Sequence, residues 1–504
     1  MISQRKNTKS YSLASPIGGW NTRDSIADMP ETDAVTLTNW FPQPSQVALR
    51  KGYSNWATGL PSQVNSVMAY NAGATSKLFA ASSTGIYDCT AKGVVGASVQ
   101  AITNDKMIHV NFATAGGNFL VLCNGTDAVL NYNGTVWSNP AITGISPNLL
   151  NFVYATKSRL WFVEKNSLRV WYLPVNSIAG AATAFDFSSL CRHGGRLLSM
   201  TSWTVTGGFG ASDYTVFVTS EGEILIYQGT DPSRATTWSL VGIWKFGSPL
   251  SNKCFAKFGT DVLYLSRDGL ITLSSGRFFA EVNDEKNLSY KIQFAISDAT
   301  TNYGANFGWQ VQPFPLENML IVNIPVGIGT QQQYVMNSIT NAWCNFTGWN
   351  ANAWELYQDM IYFGANGVVC LGWDTYSDNL LAISNDAMQA PSYFNAKGLL
   401  KRWTMIRPIL SCTSSPAVYA NINIDFDTTS PSTIISTPPA TNISFWDAAI
   451  WDTSLWGGGL SIYKNWQGAN GIGYAASARV KSIGNGNQIN WISTDFVYEV
   501  GQVL

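Results

Sequence analysis

The sequence predicts an all-β protein, and three observations carry that prediction. Charged residues make up 12% of the 504 residues, where globular chains carry about 25%. The solvated surface is therefore built from neutral polar side chains and not from the Glu and Lys that cover exposed helices. The chain holds 24 Phe, 20 Trp and 21 Tyr beside 44 Gly, a balance that favours pleated strands joined by tight turns. Short apolar runs also recur in pairs around Asn-Gly, Asp-Gly and Glu-Gly steps, which is the hairpin signature.

Taken in order, these pairs fall at 77–90, 118–137, 157–173, 213–229, 260–276, 318–346 and 359–373, with starts 39 to 58 residues apart. That spacing suits the four-stranded blade of a β-propeller, in which radial repetition protects the sheet edges. Six to eight blades are expected, the gaps at 174–212 and 277–317 being either inserted loops or poorly matching strands. Two packed sandwiches are the rival arrangement. Strand signals thin out over 376–399 and resume at WTMIRPILS (403–411), so a linker is placed there. A C-terminal β-sandwich-like module is expected over 400–504, the propeller over 61–375, and a docking segment over 1–60. Within the module, Trp446, Trp451 and Trp456 repeat every five residues, a step that matches neither strand nor helix and reads as a loop pinned to an apolar face, or as a sugar-stacking platform.

The charge balance excludes several function classes. Thirty Lys and Arg against 31 Asp and Glu give a net charge of −1, with no basic strip of the kind nucleic-acid binders carry. The two histidines, His109 and His193, leave little for His-built zinc sites or His general bases, and both read as structural. Seven cysteines include no CxxC pair, as expected of buried thiols folded in a reducing cytosol. The N-terminus lacks the apolar core of a secretory signal, and the uncharged stretch 318–354 is interrupted by Asn323, Pro325 and Gln331 to Gln333, so no membrane span is expected. No GxSxG elbow, Walker A loop, HExxH or EF-hand loop occurs. Asp284 and Glu285 could form a glycosidase pair but read as a solvated loop. Asp268-Gly269 reads as a hairpin turn and not a sialidase Asp-box; the sequons at Asn124, Asn133 and Asn345 would matter only in a secreted eukaryotic protein, and Asn124-Gly125 and Asn133-Gly134 read as turns. No catalytic residue, metal or cofactor is expected.

The most specific stretch is SPIGGWNTRDSIADMPETDAVTLTNWFPQPSQVALRKGY, residues 15–53. It resembles the opening of tail hub or nozzle proteins of short-tailed bacteriophages, through Gly18, Gly19, Asp24, Pro30, Ala34, Asn39, Trp40, Pro42, Arg50, Gly52 and Tyr53. The ending, 466–504, is similar to the C-terminal module of such phage structural proteins. The resemblance implies a non-enzymatic virion protein of the phage tail, assembled in the host cytoplasm. It implies a homohexameric ring below the adaptor or portal-proximal ring, a docking platform for tail fibres, spikes or a needle, and a conduit for double-stranded DNA during ejection. The named positions then have structural roles. Few cations suit a conduit, since each phosphate neutralised adds affinity and friction. On this reading, deleting residues 1–45 leaves the propeller folded and removes docking. A receptor- or carbohydrate-binding tail protein is the alternative, and a polysaccharide-degrading enzyme a more distant one.

Overall fold

The computed structural model describes residues 8–73, 75–207, 210–277, 287–413, 417–430 and 460–501. They form two compact units, one of Asn55–Gln332 and Asn350–Gly372, the other of Met1–Ser54, Gln333–Trp349 and Trp373–Leu504.

The first unit is a β-propeller. Its sheets are antiparallel meanders that follow one another along the chain: Ile108–Thr114 to Trp137–Ser138, Leu150–Thr156 to Thr183–Asp186, Leu197–Gly207 to Trp238–Lys245, and Phe255–Phe258 to Gly269–Thr272. Val64 to Ala72 of the long strand Tyr53–Ala72 open the first sheet by pairing with Thr75–Ser82. Earlier residues of the same strand lie beside Met360–Gly372, itself paired with Ala353–Tyr357. One sheet is thus shared by the beginning and the end of the unit, which closes the circle of sheets and leaves only short outer edges. The first strands of successive sheets are neighbours, in the order 108–114, 150–156, 197–207, 255–258, 310–314 and 353–357, and surround the axis.

Each sequence window falls on the hairpin that follows a first strand. Those second strands are buried on both faces, as in Arg159–Glu164 and Asp261–Ser266, so they read as continuous apolar runs. Ring packing fills the space between sheets: Trp238 stacks on Trp161 at 5.5 Å and on Tyr227 at 5.4 Å. The gap at 174–212 holds the strands Thr183–Asp186 and Leu197–Gly207. The gap at 277–317 holds the helix Gln293–Tyr303 and the strand Gln310–Phe314.

The second unit has two sheets. One runs Ser461–Tyr463, Lys401–Cys412, Ile489–Val500, Val47–Leu49, Trp40–Pro42, with Thr8–Ala14 also paired to Ile489–Val500. The other includes Trp343–Thr347, Asp33–Thr38, Ile383–Gln389, Ala476–Gly484 and Ala417–Ile424 in that order. Phe394, just beyond the second sheet's Ile383–Gln389, packs on Trp403, Phe496 and Tyr498 of the first at 5.6, 5.1 and 5.2 Å.

Three expected boundaries are corrected here. Residues 1–60 are not a separate docking segment, because strands from 8–49 are built into both sheets. Residues 376–399 are not a linker, because Ile383–Gln389 lies inside a sheet with its polar side chains paired: Asn385 Nδ2 donates to Ser482 Oγ at 2.6 Å and Arg479 Nη2 to Asp386 Oδ2 at 2.7 Å. Residues 333–349, assigned from sequence to the propeller, belong to the second unit. Trp446, Trp451, Trp456, Asp284 and Glu285 lie outside the described residues.

Candidate functional site

The resemblance positions gather in the second unit, where most of them hold chain segments together. Arg50 is fully buried, and each of its guanidinium nitrogens is used. Nε donates to Asn39 Oδ1 at 2.8 Å, Nη1 to Asp378 Oδ1 at 2.8 Å and to the Lys51 carbonyl at 3.0 Å, and Nη2 to Asp378 Oδ2 at 2.6 Å and to the Thr347 carbonyl at 2.5 Å. The guanidinium also lies 5.1 Å from the Trp349 ring centroid, a cation–π distance. Asn39 takes the left-handed conformation, φ 59°, and donates to Thr347 Oγ1 and the Ser384 carbonyl. A Cβ on Gly52 would stand 2.0 Å from the Ser377 carbonyl oxygen, and one on Gly19, at φ +85°, 2.6 Å from the Trp343 nitrogen, so both positions require glycine.

Gly18 approaches Asp33 as closely. Asp24 accepts from Asn21 Nδ2 and Arg23 Nε at 2.8 and 2.6 Å. The Pro30 carbonyl accepts from Asp33 N at 2.9 Å, and that of Pro42 from Asn337 Nδ2 at 2.9 Å. Trp40 is fully buried, 6.3 Å from Trp491. This cluster offers no open surface for chemistry; it knits residues 15–53 to 343–349 and 374–384.

The propeller unit carries the open site. A cavity of about 470 Å³ runs along the axis, lined by first-strand residues including Ile108, His109, Val153, Tyr154, Met200, Val311, Gln312, Glu355 and Leu356, with Lys253 and Lys257. Lys253 and Asn252 also line a second cavity of about 310 Å³, where Asn104, Asn124, Asn151, Asn306 and Asn352 gather. His109 Nε2 stands 3.3 Å from Glu355 Oε2. Burial holds the Lys253 ammonium below the usual lysine range, against the opposing pull of Glu355. Burial raises the Tyr154 phenol, but hydrogen bonds from Ser202 and Thr201 and the charge of Lys257 outweigh it and hold the group below its ordinary value. Sequence reading singled out His109 alone of these, as structural. The others come from separate segments of the chain with no motif linking them.

Asp127 braces the second cavity. It accepts from Thr103 N and Oγ1 at 2.8 and 2.6 Å and from Asn124 Nδ2 at 2.7 Å. Burial raises its pKa, yet these bonds outweigh burial and leave it below 3.8. A carboxyl so lowered contributes stability that is present above the unfolded-chain value and is lost as pH falls through the folded one. Asp127→Asn is therefore expected to destabilise the propeller at pH 6 by about 1–2 kcal/mol. The difference from wild type should shrink as pH falls below 3.8, and urea melts at pH 6 and pH 3 check this; a difference independent of pH would contradict it.

Asp268-Gly269, Asn124-Gly125 and Asn133-Gly134 are turns, each glycine at positive φ. His193 is exposed, its backbone N–H donated to Glu223 Oε2 at 3.2 Å. The seven cysteines are free and six are buried, and burial pushes the Cys89, Cys254 and Cys412 thiols up to about 12. Among the described residues no three His, Cys, Asp or Glu side chains gather as a metal site would require, and no helix is long and apolar enough to cross a membrane.

Fold and site together define a β-propeller protein with an axial cavity, joined to a two-sheet unit. No family model and no curated protein matches the chain. Among solved structures it is similar to the WD40 β-propeller domain of Doa1, at 10% identity over 64% of this chain and 96% of that one, TM-score 0.37. It is similar also to the Cps50 (Swd1) β-propeller domain of Myceliophteria thermophila, at 9% over 64% and 100%, TM-score 0.41. Ycf48 bound to D1 peptide matches at 10% over 68% and 99%, TM-score 0.38. The sheet order itself carries the fold assignment.

Proposed function

We propose that this chain is a non-catalytic structural protein of a short-tailed bacteriophage virion, forming the tail hub or nozzle ring through which the genome leaves. The observation that carries the reading is that residues 15–53 and 466–501, from the two stretches that resemble such proteins, meet in one unit: Val47 and Ala48 pair with Trp491 and Asn490, Ser15 N donates to the Ile492 carbonyl, and Trp40 packs on Trp491. A chain with only 30 Lys and Arg in 504 residues also suits a passage that must not retain DNA. The homohexamer, its contacts with an adaptor ring and with fibres or spikes, and its place in the virion tail belong to the same proposal.

An interface for the ring is offered by the turn after Asp378. Leu380 and Leu381 are 85% and 70% exposed, and Asn379 and Leu380 are held at φ 48° and 71°. A left-handed leucine is strained backbone, of the kind kept where function uses it. The purified protein is expected as a particle of about 330 kDa, six chains of 54.9 kDa. Replacing both leucines by Asp should release folded single chains, by removing about 2 kcal/mol or more of contact energy per interface. Mass photometry with circular dichroism measures both. A wild-type trimer would favour the receptor-binding alternative, and a variant that still assembles would remove the turn from the interface.

A further inference from the structure

We propose that the amide-lined cleft of the propeller unit, beside its axial cavity, binds a neutral sugar through a pyranose ring. This rests on the propeller alone and not on the assembly reading. The cavity of about 310 Å³ adjoins a further one of about 500 Å³: Lys106, Asn306, Phe307 and Asn352 line both. Several amides of this cleft are left with unused hydrogen-bonding atoms. Gln331, 4% exposed, donates from Nε2 to the Gly327 carbonyl and to Asn352 Oδ1. Those two bonds fix the orientation of the amide and leave Oε1 as an acceptor without a partner. Asn306 Nδ2 donates to the Pro325 carbonyl at 2.8 Å, so its Oδ1 is likewise fixed as an acceptor. Gln63 Nε2 is a buried donor without a partner. The side-chain amides of Asn151 and Asn252 make no hydrogen bond with the described residues.

The class of ligand follows from that inventory. An anion offers acceptors only, and would face the fixed oxygens of Gln331 and Asn306. A cation would face Lys253, and no acidic residue lines either cavity. Lys106 is already engaged, its ammonium 4.4 Å from the Phe307 ring centroid, a cation–π distance. A hydroxyl donates and accepts at once, and an amide does both through separate atoms. A ring bearing several hydroxyls therefore meets the fixed acceptors, the Gln63 donor and the two uncommitted amides together. Phe307, 39% exposed, gives apolar contact to the C–H side of such a ring. The two volumes lie within the range of cavities that hold small molecules.

Saturation-transfer NMR from the full-length protein to glucose, galactose and N-acetylglucosamine tests the proposal. At least one should bind saturably with a Kd of about 1–10 mM, the scale of a few net hydrogen bonds. Asn151→Ala combined with Asn252→Ala removes no hydrogen bond from the chain, so the variant should fold, as circular dichroism checks. It should bind that sugar about tenfold more weakly. Methyl glycosides of the same sugars separate two sources: their binding assigns the cleft to residues within a glycan, and binding of the free sugars alone to monosaccharides. No saturable binding of any of the three, displacement of the sugar by equimolar inorganic phosphate, or unchanged affinity in the folded double variant would overturn the proposal.

Discussion

Arg50→Met is expected to destabilise the two-sheet unit by about 3–5 kcal/mol, the usual effect of removing one member of a buried ion pair. Methionine fills much of the volume but returns none of the hydrogen bonds to Asn39, Asp378, Lys51 and Thr347. It also leaves the Asp378 carboxylate, 13% exposed, without its bidentate partner. Arg50→Lys is expected to be nearly as damaging, because an ammonium cannot reproduce the planar fork. Adding Asp378→Leu to Arg50→Met should recover part of the loss, since an apolar pair costs less than one stranded charge. A chain of two units need not unfold in one step, so the measurement is hydrogen exchange by peptide. Faster exchange is expected in Lys401–Cys412 and Ala476–Gly484, with Leu150–Thr156 and Arg159–Glu164 unchanged. A loss below about 1 kcal/mol, the scale of an exposed ion pair, would mean that the network does not organise this unit.

That network also marks where the sequence was legible. The propeller's second strands could be read because neighbouring sheets cover both faces, as in the apolar run of Met319–Gly327. First strands such as Ile108–Thr114 could not, because residues like His109 face the channel and break the run. The strand Ile383–Gln389 carries Asn385, Asp386 and Gln389, residue types that read as loop. Each bonds to a partner distant in sequence: Asn385 to Ser482, Asp386 to Arg479, and Gln389 Nε2 to the Ala14 and Glu31 carbonyls. Arg50 and Gly52 were visible as a pattern, but their partner Asp378 lies 328 residues from Arg50, beyond any local rule. The channel site was illegible for the same reason, since its charges converge only when the circle of sheets closes.

Deleting residues 1–45 is expected to unfold the two-sheet unit, not merely to remove docking. Asp33–Thr38 lies between Trp343–Thr347 and Ile383–Gln389, so its loss strands backbone donors and acceptors on both neighbours, at about 1–3 kcal/mol for each group left buried and unpaired. Trp40, fully buried, goes with it, a loss of about 3–5 kcal/mol by itself. Removing 1–14 alone takes only Thr8–Ala14, which has a single strand partner, Ile489–Val500, and should be far milder. Hydrogen exchange separates the cases: in the longer deletion Ala476–Gly484 should lose its protection while Arg159–Glu164 keeps it. Full protection of Ala476–Gly484 in that deletion would restore residues 1–45 to the status of an appended arm. If protection is lost, failure of the truncated chain to enter a tail reports unfolding, and only surface substitutions such as those at Leu380 and Leu381 can test docking.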